Sequence, residues 1–158
     1  MKIRILFILM TMLSFPVWAQ QTGCATNALG EVVCAGQGGG ADVNQTGQVV
    51  TGPGECAPDA NGYVVCSKVP GGGALANGHG RVITGKGDCA ENSHHLVVCA
   101  PTVGGGAAVD GQGEVRTGPG RCIVDGTGTV MCATIPAGGA SLDATGLAVC
   151  AGGCVLGR

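Results

Sequence analysis

The chain has 158 residues, 32 of them glycine and ten cysteine, and carries 8 Lys/Arg against 10 Asp/Glu for a net charge of −2. That balance excludes the basic footprint of a nucleic-acid binder, and an aromatic content of 3% excludes a thick core of large side chains. Glycine at this density also raises the entropy that folding must overcome, so something besides burial has to hold the structure.

Residues 1–19 read as a signal peptide. Lys2 and Arg4 supply a positive start, Ile5 to Phe15 is an apolar run shorter than the ~20 residues of a membrane span, and Val17-Trp18-Ala19 ends in a small residue suited to cleavage. Removing Lys2 and Arg4 takes the net charge from −2 to −4, and Tyr63 and Met131 become the only aromatic and the only methionine. All ten cysteines remain, and in an exported chain they point to disulfides. No transmembrane segment is expected after signal removal. The protein is expected to be exported, either to the periplasm or to the cell surface and medium.

Residues 20–158 form a single repeat domain. Thr51-Gly52-Pro53-Gly54, Thr84-Gly85-Lys86-Gly87 and Thr117-Gly118-Pro119-Gly120 open units 33 residues apart, preceded by a shortened copy from about Thr22. The units run over about 22–50, 51–83, 84–116 and 117–150, with a short cysteine-containing tail at 151–158. Each passes through a cysteine, a second cysteine ten residues on, and a glycine-rich stretch such as Pro70 to Ala74. Each also divides into two halves of about 16.5 residues, because the Asp/Asn-x-x-Gly element recurs at Asn27, Asn44, Asp59, Asn77, Asn92, Asp110, Asp125 and Asp143. The Asn92 copy alone departs, with His95 in place of glycine.

An Asp or Asn opening and a glycine three residues later specify a type I turn closed by a left-handed residue, the three-residue hairpin loop with a glycine bulge. Counting outward from Asp59 and Tyr63, Pro58 faces Val64, Ala57 faces Val65 and Cys56 faces Cys66. The cysteines then meet at a non-hydrogen-bonded position, where opposed Cα atoms lie closest. The spacing therefore predicts Cys24–Cys34, Cys56–Cys66, Cys89–Cys99 and Cys122–Cys132. In the last half Ala140 faces Cys150, which leaves Cys154 as the remaining partner for a local Cys150–Cys154 bridge; free or intermolecular thiols are the alternative.

The fold class is all-β, a glycine-rich tandem repeat of short strands with no helix. Within each strand the first valine and the following Cys or Thr share one face, assigned inward, while Val33, Val50, Val65, Ile83 and Val98 lie on the other. A thin disulfide-braced β-solenoid is favoured over a meander of hairpins, because a single flat layer would leave the inward valines wet; the glycine bulge argues for hairpins.

Chemistry-bearing residues are few. No catalytic residue and no cofactor site is assigned, since the carboxylates at turn openings have a structural explanation and no serine sits in a recognisable motif. His79, His94 and His95 are weak metal candidates, all in turns. The expected function is that of a non-catalytic structural or adhesive protein at the surface, in the periplasm or outside the cell, associating with itself or with another surface protein. A periplasmic metal-binding or stress protein using the histidines and any free Cys150 or Cys154 is the alternative. A small secreted hydrolase or toxin, or an ice-binding protein, fits less well.

Overall fold

The computed structural model describes residues 23–158; the signal-peptide reading, and the start of the first unit at Thr22, fall outside the described residues. Their secondary structure is entirely short strands, joined in antiparallel pairs. Eight hairpins follow in order. They are β1 (Cys24–Thr26) with β2 (Val32–Cys34), β3 (Gly40–Val43) with β4 (Val49–Gly52), β5 (Cys56–Pro58) with β6 (Val64–Cys66), and β7 (Ala74–Ala76) with β8 (Val82–Thr84). Then come β9 (Cys89–Glu91) with β10 (Val97–Cys99), β11 (Gly106–Val109) with β12 (Val115–Gly118), β13 (Cys122–Val124) with β14 (Val130–Ala133), and β15 (Ala140–Leu142) with β16 (Ala148–Cys150). A last strand, β17 (Cys154–Leu156), returns to pair with β14 and makes that sheet three-stranded. Every other sheet holds two strands and none closes on itself. No helix among the described residues is long and apolar enough to cross a membrane.

The hairpin register follows the sequence spacing. Cys24 faces Cys34, Cys56 faces Cys66, Cys89 faces Cys99 and Cys122 faces Cys132. All four pairs are bridged across 3.9–4.0 Å between Cα atoms, and Cys150 is bridged to Cys154 across 5.1 Å. No cysteine is free. The alternate halves carry Ala74 against Thr84 and Ala107 against Thr117 at the same places. Five bridges in so small a chain suit an oxidising compartment.

The turns show why Asp or Asn recurs. In all eight, the side-chain Oδ1 accepts the N–H groups two and four residues on; Asp59, for example, takes those of Asn61 and Tyr63 at 2.9 and 2.8 Å. The fourth residue has φ between 63° and 85° throughout, glycine in seven turns and His95 in the other. Successive turns are stitched together: Ala28 N–H donates to Gly47 C=O, Gln45 to Gly62, Ala60 to Gly80 and Ser93 to Gly113, all within 2.8–2.9 Å. Hairpins thus stack by their turns, while strand pairing among β1 to β16 stays inside each half-repeat.

At the opposite end the glycine-rich connections stack with the full 33-residue period. Gly71 N–H donates to Gly38 C=O at 2.9 Å, and Ala137 N–H to Gly104 C=O at 2.8 Å. The buried core lies beside this end and is made of small residues: Ala35, Ser67, Ala100 and Ala133 form one column, repeating after the second cysteine of each unit. Gly54, Gly87 and Gly120 pass so close to it that a Cβ on any of them would meet a carbonyl oxygen of the next connection.

This placement corrects the expected interior. The face assigned inward is only half-buried at Val64, Cys66, Val97 and Cys99, and Val32 is 66% exposed; Val130 and Cys132 alone are fully enclosed. The physical reason is that backbone packs against backbone where glycine permits it, so the tightest region is the connection layer and not the strand face. The outer assignment agrees with the exposure of Val33, Val65 and Val98, whereas Val50 and Ile83, assigned to the same face, are half-buried.

Candidate functional site

Three groupings could carry function. The first is the Asn92–Leu96 turn with its histidines. Backbone bonding of Asn92 positions it like the other turns. His95 takes the left-handed conformation that glycine takes elsewhere, and its ring lies over Gly78, where a side chain would collide with it. Its Nδ1 lies 2.9 Å from Glu91 Oε1, and His94 Nδ1 lies 3.8 Å from Glu114 Oε1. Both imidazoles are exposed. Among the described residues, no three His, Cys, Asp or Glu side chains come together as a metal-holding group. His79 sits in the preceding turn, its own N–H bonded to Asn77 Oδ1. The bridge between Cys150 and Cys154 takes both sulfurs out of the set proposed for metal or thiol chemistry.

The second grouping was missed by the sequence reading. The residue before the first cysteine of the second, third and fourth units is Glu55, Asp88 and then Arg121, and these three line up beneath the stacked connections. Their placement is enforced by the backbone. Glu55 N–H donates to Gly72 C=O, Asp88 to Gly105 and Arg121 to Gly138, while each carbonyl accepts from the Ser67, Ala100 or Ala133 that builds the core column. Burial pushes the Glu55 carboxyl above the ordinary range, the neighbouring Asp88 adds to the rise, and Arg121 opposes it. Asp88 is raised by burial too, again against the pull of Arg121. Asp88 and Arg121 border a shallow open cleft of about 440 Å³ against Gly38, Gly71 and Val103. Its signal in the sequence was the 33-residue recurrence of a charge beside Cys, hidden because sign and length change from copy to copy.

The third grouping is aliphatic. Val33, Val65 and Val98 recur on the cysteine-bearing hairpins and stand 37, 40 and 41% exposed. Tyr63 and Leu96 in the turns and Val103 and Ile135 on the connections are exposed as well. Bridged strands hold these side chains on a fixed spacing, which is the property a contact surface uses.

The turn carboxylates behave as structural groups. A hydrogen bond from the Arg116 side chain, at 2.8 Å, leads in holding Asp110 below the usual carboxylate range; the Thr127 and Thr145 hydroxyls do the same for Asp125 and Asp143. The chain has no match among protein-family models, curated proteins or solved structures.

Proposed function

We propose that the protein is an exported, non-catalytic structural or interaction protein, a disulfide-braced scaffold of the periplasm, cell surface or medium that associates with itself or with another surface protein. The observation that carries this reading is the exposed valine row, repeated at Val33, Val65 and Val98 on hairpins that each hold their own bridge. An apolar row left open along a rigid repeat is a surface that gains free energy by being covered. The contacts are apolar, so salt has little to screen.

Sedimentation velocity over a concentration series, in low and high salt, tests it. Oligomers that grow with concentration and survive high salt are expected. A monomer at every concentration would count against self-association through this row.

A further inference from the structure

The last strand shows what one edge of the repeat accepts. β17 lies antiparallel along the outer edge of β14, placing Leu156 against Met131, Val155 against Cys132 and Cys154 against Ala133. The chain then runs on to the hairpin before. Gly157 N–H donates to Val130 C=O at 2.9 Å, and Arg158 exchanges both backbone bonds with Thr117 at 2.9 and 3.0 Å. Gly157 fits because it has no side chain: a Cβ there would come within 2.7 Å of Arg116 Cβ and 2.9 Å of Val130 Cγ1.

The same edge recurs, uncovered, one and two repeats earlier. Val97, Cys99 and Thr84 stand where Val130, Cys132 and Thr117 stand, as do Val64, Cys66 and Thr51 before them. In an antiparallel hairpin the non-hydrogen-bonded residues turn their N–H and C=O away from the partner strand. At β14 those groups meet β17; at β6 and β10 they take no backbone partner among the described residues. Exposure records the difference. Val130 and Cys132 are 3% and 0% exposed, their equivalents are half-buried, and Thr51 and Thr84 are open where Thr117 is partly covered. β14 also packs more closely than β6 and β10 do against the hairpin that follows it, and β17 adds to that packing in making the contrast.

We propose that the outer edges of β6 and β10 are strand-addition sites for an extended segment of another protein, with aliphatic residues followed by glycine in the manner of Val155-Leu156-Gly157. The proposal rests on reading the chain as an interaction protein. A partner supplies the strand because the described residues hold none to spare: each strand from β1 to β16 is held in its own hairpin, and β17 is engaged on β14. Added strands bind through main-chain hydrogen bonds, with side-chain fit selecting the sequence.

The test is an NMR titration of the ¹⁵N-labelled full chain with a synthetic peptide of residues 153–158 carrying Cys154→Ser. Saturable shifts centred on the amides of Val64, Cys66, Val97 and Cys99 are expected. A peptide that also carries Gly157→Val should bind at least about tenfold more weakly. No shift at those amides up to roughly 10 mM peptide would overturn the proposal. So would intermolecular backbone NOEs at those amides, between labelled and unlabelled chains in the absence of peptide, because the strand paired there would then come from a second copy. The two readings fail separately: salt-resistant oligomers without peptide binding leave the scaffold standing, and a monomer with saturable peptide binding leaves the edge sites standing.

Discussion

At the residue scale, glycine does two different jobs. In the turns it supplies positive φ, a role legible in the sequence because Asp or Asn always stands three residues before it. At Gly52, Gly85 and Gly118 it supplies absence. Each lies against the disulfide of the following hairpin, and a Cβ at Gly85 would overlap Cβ of Cys99. This role was not legible, since it depends on how one hairpin leans on the next. Gly85→Ala is therefore expected to destabilise the protein by about 2 kcal/mol, the cost of forcing an extra carbon into a packed site. Gly139→Ala, at a position with nothing within 4 Å of the added carbon, should change stability by less than about 0.5 kcal/mol. Thermal or urea unfolding of the two variants under non-reducing conditions checks both.

At the scale of elements, hairpin register was readable because one turn type fixes every pairing after it, and a ten-residue cysteine spacing must then close across the strands. Each such loop contributes ~2–3 kcal/mol in the chain-entropy account. The return of β17 to β14 was not readable: nothing periodic marks residues 154–158, and the pairing depends on a glycine fitting under two side chains. The Glu55–Asp88–Arg121 row makes a testable difference between connections. Both carboxylates have raised pKa values, so their protonation favours the folded state. Their contribution is greatest below the ordinary carboxylate pKa and is lost as pH rises through the raised values. At neutral pH the two charges oppose folding. Asp88→Asn is thus expected to raise the unfolding temperature at pH 7, with the gain shrinking to nothing in acid. The turn carboxylates Asp110, Asp125 and Asp143 have the opposite sign: their stabilisation is present above the ordinary pKa and is lost as pH falls through their lowered values. Comparing variant with parent at each pH cancels that shared background. A gain that persisted unchanged in acid would show that Asp88 acts through something other than its charge.

At the scale of the whole molecule, a chain without large side chains stays ordered by replacing bulk with repetition. Turns bond to turns, connections bond to connections, and bridges close the loops between them. The expectation of an interior lined by valine came from treating each strand as half of a layered core. The column Ala35, Ser67, Ala100 and Ala133 shows another solution, in which backbone approach through glycine makes the densest contacts and the strand faces stay half-open. That openness leaves the valine row and the edges of β6 and β10 accessible, and on it rests the reading of the protein as a scaffold. Local bridging is the premise common to all of this. Peptide mass mapping of the purified protein under non-reducing conditions tests it most directly. The account predicts Cys24–Cys34, Cys56–Cys66, Cys89–Cys99, Cys122–Cys132 and Cys150–Cys154 with no free thiol. Bridges joining cysteines of different repeats would contradict it.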